Sequence, residues 1–191
     1  MKSEELEQEL KLNGLDIFTP KDVARITGKR LNYVYLALSK SKRFLRIQNG
    51  LYCVNGTDPF RIASAILHPS YVSLISALVY YKLIDQVSST IKVITGKRHS
   101  SIELFSGTRI EFRSVKKEML YGYSRKHDVS IADIEKAIVD SLYLLEDTQY
   151  ISEAMENAND AGIFDAEKLL LYAEKSGVKS VYSKAKKLVQ K

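Results

Sequence analysis

The chain has 191 residues, 45% hydrophobic and 27% charged, with a formal net charge of +6 and a single cysteine. That balance is normal for a folded globular chain with room for one large or two small domains. No apolar run approaches the roughly 20 residues of a membrane-spanning helix, and the acidic start is unlike a secretory signal, so a cytoplasmic protein is expected. Cys53 alone can form neither an internal disulfide nor a multi-cysteine zinc site, and is expected to serve as a small buried apolar residue.

Residues 3–13 predict a helix that opens on acids and stops near Asn13-Gly14, with Leu6, Leu10 and Leu12 available for packing. Thr19-Pro20-Lys21-Asp22 then opens a second helix: a hydroxyl to cap it, a proline where no N–H is needed, and an acid in the first turn. Apolar Val23, Ala24 and Ile26 follow, and Gly28 ends the helix at a sharp turn. Leu31, Val34 and Leu38, with Ala37 beside them, mark a third helix with one buried face. Ala24, Gly28 and Val34 fall where two steeply crossing helices need a small contact, a turn and a core anchor. Residues 44–48 and 51–54 are β-prone runs separated by Asn49-Gly50, whose preference for positive φ at both turn positions predicts a tight hairpin. Helix, turn, helix and hairpin in this order predict a winged helix-turn-helix over residues 1–56, with Asn55-Gly56-Thr57-Asp58-Pro59 as the linker.

Charge marks out the same stretch. Residues 20–56 hold eight cations (Lys21, Arg25, Lys29, Arg30, Lys40, Lys42, Arg43, Arg46) and one acid, Asp22, a net +7. Such a concentration favours phosphate contacts and counterion release. Thr19, Lys21, Lys29, Arg30, Asn32, Tyr33, Leu36, Lys40, Arg43, Arg46, Gln48 and Asn49 are therefore the expected contacts to double-stranded DNA. Arg30, Asn32 and Tyr33 are assigned to bases, and Lys21, Lys40, Arg43 and Arg46 to phosphates. The alternative is a winged helix that contacts protein.

Beyond the linker the pattern changes. Helices are expected over 60–67 and 73–83, separated by His68-Pro69-Ser70. A strand follows over 90–95, then a hairpin of 101–105 and 109–113 around Ser106-Gly107-Thr108. A short strand at 129–131 leads into a helix over 133–145, and the remainder is helical with breaks at Gly162 and Gly177. The expected fold class is α+β, in three parts: residues 1–56, a mixed α/β part over 57–147, and a helical extension over 148–191.

Asn49-Gly50-Leu51-Tyr52, then Ser73-Leu74-Ile75-Ser76-Ala77-Leu78, then residues 91–95, then Ile131-Ala132-Asp133-Ile134-Glu135-Lys136-Ala137-Ile138-Val139-Asp140 occur in an order that resembles the AbiEi-type antitoxins. These are transcriptional repressors of abortive-infection, type IV toxin–antitoxin systems. The resemblance covers about residues 15–147, and its sharpest element is the stretch Glu135 to Asp140. It departs from the family at Ile134, where a proline is common, and no motif matches after about Tyr150. The resemblance implies a repressor of its own operon and an antitoxin toward a nucleotidyltransferase-type toxin encoded beside it, acting without a stable complex. Two copies on a repeated operator are expected, because one winged helix reads only a short half-site.

A third reading is a metal-dependent nucleic-acid enzyme. Asp133, Lys136 and Asp140 share a helix face and, with Glu135, offer several carboxylates. A simpler account has Ser130-x-x-Asp133 as a cap, Asp133 and Glu135 complementing the helix dipole, and Lys136 pairing with Asp140. His68, His99 and His127 have no ligand-like spacing, and no phosphate-binding loop is present. No enzyme activity, metal or cofactor is expected. Tyr35 and Tyr52 are assigned at least as readily to the core as to a surface. A scattered basic group (Lys97, Arg98, Arg109, Arg113, Lys116, Lys117, Arg125, Lys126) would extend a phosphate track only if the fold gathered it beside the wing.

Overall fold

The computed structural model describes residues 2–85 and 89–190, so Met1 and Lys191, the outer ends of the expected parts, lie outside the described residues. The N-terminal unit comprises α1 (Ser3–Leu12), β1 (Ile17–Phe18), α2 (Pro20–Thr27), α3 (Leu31–Lys40), β2 (Phe44–Gln48) and β3 (Leu51–Val54). In α1, Leu6 and Leu10 are buried but Leu12 is 84% exposed. Two residues past Leu10 is roughly 200° around the helix, so Leu12 faces water instead of joining the core.

At the start of α2, Thr19 Oγ1 accepts from the N–H of Asp22, and the Asp22 carboxylate accepts from the Thr19 N–H and hydroxyl. Burial works against the charge on Asp22, yet those two donors and Arg25 outweigh it and hold the carboxyl below its usual range. Gly28 ends the helix at φ 66°, in the left-handed region. The chain then re-enters a helix with Val34 and Leu38 turned inward.

β1, β3 and β2 form an antiparallel sheet in that order, and Asn49-Gly50 closes the β2–β3 hairpin with Gln48 opposite Leu51. Only Gly50 takes the positive φ (73°) expected at both turn positions, and the register shifts between Arg46 and Gln48. The two-residue strand β1 was not expected. Side chains alternate across a strand, so this sheet faces two cores. Phe44, Tyr52 and Val54 pack with Leu6, Leu10, Phe18, Val23, Val34 and Leu38. Cys53, with Ile17, Leu45, Ile47 and Leu51, belongs to the second core. Burial pushes the Cys53 thiol up to about 11, so it stays a protonated, apolar filler.

Residues 1–56 produced alone should therefore uncover an apolar sheet face, a loss on the order of 3–5 kcal/mol. The expected result is a fragment that self-associates and melts well below the full chain. A monomeric fragment with the full-chain melting temperature would show that the contact carries no stability.

The second core is built by α4 (Pro59–Ala65), β4 (Ser70–Val72), α5 (Leu74–Tyr80), β5 (Thr90–Thr95), β6 (Ile102–Glu103), β7 (Arg109–Ser114), β8 (Tyr123–Lys126), β9 (Val129–Ala132) and four helices: α6 (Ile134–Tyr143), α7 (Thr148–Asp160), α8 (Ala166–Lys175) and α9 (Lys179–Val189). The strands lie in the order β6-β7-β5-β4-β9-β8, with β5/β7 and β4/β9 parallel and the other pairs antiparallel. The architecture is thus mixed α+β, with N-terminal helices, a central mixed sheet and C-terminal helices. α4 covers β4, β5 and β9 beside the N-terminal unit, to which Arg61 binds through Asp16 at 2.6 Å. α6 packs on α5 and β9, is backed by α8 and α9, and receives the side chain of Tyr71.

Candidate nucleic-acid interface

α3 projects from the helix pair with Val34 and Leu38 as its anchors, which leaves the opposite stripe to solvent. Lys29 and Arg30, in the turn, and Asn32, Tyr33, Leu36 and Lys40, on the helix, are all exposed, as is Lys21 in α2. Tyr33 is 44% and Leu36 53% exposed, an unusual display of large side chains on one short helix. Asn32 and Leu36 are one turn apart, as are Leu36 and Lys40, so they form a continuous strip along the outer face. Tyr35 is 43% exposed, contrary to its provisional place in the core, because it stands about 100° around the helix from Val34. Tyr52 is buried in the first core. Ser39, also exposed, joins the strip and was missed, although the spacing that exposes Leu36 also exposes it.

The remaining expected contacts are already engaged within the chain. The hydroxyl of Thr19 is committed to the α2 cap. Arg43 forks onto Glu4 and Glu7 of α1 at 2.6 and 2.9 Å, so it ties β2 to α1 instead of standing free for a phosphate. Sequence separation hid those partners. At the hairpin tip, Arg46 donates to the carbonyl of Gln48 and, at 3.1 Å, to the side chain of Asn49. That cross-link stiffens the tip, where Asn49 is exposed and Gln48 half-buried.

The scattered basic group is dispersed over several elements: Arg109, which opens β7 after the loop that meets the hairpin, donates to Ser101. Residues Leu104, Phe105 and Ser106, just before β7, meet Leu45, Ile47 and Cys53 across an apolar groove of about 320 Å³. Lys97, Arg98, Lys116 and Lys117 follow the far ends of the parallel strands β5 and β7. Arg113 pairs with Glu111, Arg125 with Asp128, and Lys126 lies over the Tyr81 ring.

The carboxylates considered for metal chemistry are used in packing. Lys136 and Asp140, one turn apart on α6, are both fully buried and paired with each other. Asp140 also accepts from Ser73 at 2.7 Å and Tyr71 at 3.1 Å, while Tyr71 stacks on Tyr123 and Lys136 sits over the Tyr121 ring. Burial pushes the Asp140 carboxyl up and the Lys136 ammonium down, each opposed by the charge of the other. The polar cluster also fixes the backbone. Ser73 precedes Leu74, which opens α5 at φ 59°, a strained turn that the bond from Ser73 to Asp140 helps hold. A β-carbon on Gly122 would meet the Tyr172 ring at 2.9 Å and Lys136 at 3.1 Å, so only glycine lets β8 approach α6 and α8.

Asp133 and Glu135 both bind Lys168 of α8 at 3.1 Å, and Tyr172 donates to Asp133. Burial opposes the charge on Lys168, but its two acids prevail and push it up to about 12. Asp133 makes no side-chain cap to α6, contrary to the Ser130-x-x-Asp133 reading, because α8 supplies its partners. Among the described residues no group of three or more His, Cys, Asp or Glu could hold a metal ion. Among the described residues no helix is long and apolar enough to cross a membrane.

Comparison with known proteins finds no family that matches this chain and no curated protein that matches it.

Proposed function

We propose that the N-terminal unit is a winged helix-turn-helix that binds double-stranded DNA, and that the chain is a sequence-specific transcriptional repressor. The observation that carries this reading is the outer strip of α3. Asn32, Tyr33, Leu36 and Lys40 are exposed together on one helix narrow enough for a major groove, with Lys29 and Arg30 exposed in the turn that leads into it and a stiffened hairpin in the same unit. In this reading Asn32 is suited to an adenine edge, Arg30 to a guanine and Leu36 to a thymine methyl, while Lys21, Lys29 and Lys40 hold phosphates. The resemblance to AbiEi-type antitoxins supports autoregulation of the chain's own operon and action against an adjacent nucleotidyltransferase-type toxin without a stable complex; the short half-site read by one winged helix supports two copies on the operator.

The test is footprinting on DNA upstream of the chain's own gene, followed by titration over a range of salt. With about five phosphates neutralised, log affinity should fall against log salt with a slope of about −4 to −5. A flat salt response from folded protein would overturn the reading.

A further inference from the structure

Residues 175–190 hold five lysines (Lys175, Lys179, Lys184, Lys186, Lys187) and no acid, a second concentration of positive charge that lies well outside the helix pair. The structure separates their roles. α9 turns Val181 and Ala185 inward, with Leu188 half-buried, against α8 and α6. Lys175 lies 4.6 Å from the centre of the Tyr121 ring. Lys179, Lys184, Lys186 and Lys187 all point to solvent, and none of them forms an ion pair among the described residues. Lys179, Ser183, Lys186 and Lys187 follow helical spacing and line up along the outer face, with Lys184 at its flank.

We infer that this outer face of α9 is a second binding surface for a nucleic-acid phosphate backbone, separate from the strip on α3. Lysine is a compact charge on a flexible stem, which suits phosphate contact without base reading. The apolar stripe of α9 is covered by α8 and α6, so the helix has no apolar face left to enter a bilayer. Protein interface cores are depleted in lysine, whereas four of the exposed residues of α9 are lysines. α9 packs on α8 and α6 and none of its residues belongs to the core of the N-terminal unit, so the two basic surfaces sit on separate packing units and a chain bound through α3 keeps the α9 lysines for a second segment of nucleic acid.

The experiment uses the full chain with the α3 strip disabled by Lys29→Ala, Arg30→Ala, Asn32→Ala and Lys40→Ala. Binding of a fluorescent random duplex of about 20 bp is followed by anisotropy at several salt concentrations. Adding Lys179→Gln, Lys184→Gln, Lys186→Gln and Lys187→Gln should weaken that binding at least tenfold and remove about 3 to 4 from the salt slope. Arginine at the same four positions should restore it. In the chain with native α9 lysines, bound duplex should also slow acetylation of those lysines several-fold, a readout independent of how the glutamine variant folds. Unchanged affinity and slope in a glutamine variant with the parent's melting curve, or acetylation unaffected by duplex, would overturn the inference. Polyglutamate of equal charge competing as well as duplex would overturn it in favour of an acidic protein partner.

Discussion

Lys136→Met should lower the stability of the chain by about 3–5 kcal/mol, the largest effect expected of any single substitution here, and Asp140→Leu should do the same. Each leaves a buried charge without its partner, and loss of Asp140 also strands the hydroxyl of Ser73 and takes the shorter of two acceptors from Tyr71. For a chain of this length the melting temperature should fall by roughly 6–20 °C. Combining both substitutions should recover part of the loss, because the unpaired charge is gone, but not all of it, because Ser73 still lacks its acceptor and Tyr71 keeps only the Met119 carbonyl at 3.4 Å. Urea unfolding of the three variants measures this directly. A loss below about 1 kcal/mol for both single variants would show that the pair does not hold α6 to β4. The pair is bought at a desolvation cost that apolar residues would not carry, and its geometric return is a fixed register between α6 and the strand that carries Tyr71.

Arg30→Ala and Asn32→Ala should each cost about 1–3 kcal/mol on the preferred site and far less on unrelated duplex, a fall of roughly 5- to 150-fold in specific affinity. Lys21→Ala and Lys40→Ala should weaken all sequences alike and reduce the salt slope by about one each. Arg43→Ala should act differently from both groups. Its guanidinium is held by Glu4 and Glu7, so its removal should loosen α1 and lower thermal stability before it alters sequence preference. Binding of each variant to a selected site and to a shuffled duplex separates the three patterns. Equal discrimination by wild type, Arg30→Ala and Asn32→Ala would remove both residues from base contact.

Local chemistry made much of the architecture legible. The cap at Thr19, the end at Gly28, the Asn49-Gly50 hairpin and the helix breaks at Gly162 and Gly177 each follow from conformational preferences that act over a few residues. The strands that escaped notice, β1, β4 and β8, are two to four residues long, too short to establish an alternating pattern. The strip on α3 was legible because helical spacing alone decides which residues oppose Val34 and Leu38. The engagement of Arg43 was not, since Glu4 and Glu7 lie more than thirty positions away.

Charge shows the same division. Composition by itself determined that positive charge concentrates around the helix pair and that Cys53 acts as an apolar residue, because both depend on residue type and local order. Only the tertiary structure decided that Lys136 and Asp140 are buried, that the N-terminal sheet serves two cores, and that the apolar stripe of α9 is covered while its lysines face solvent. The physical reason is that burial and pairing depend on which distant segments share a space: Lys136 becomes a core residue only because Tyr71, Ser73 and Tyr121 close around α6 from other parts of the chain.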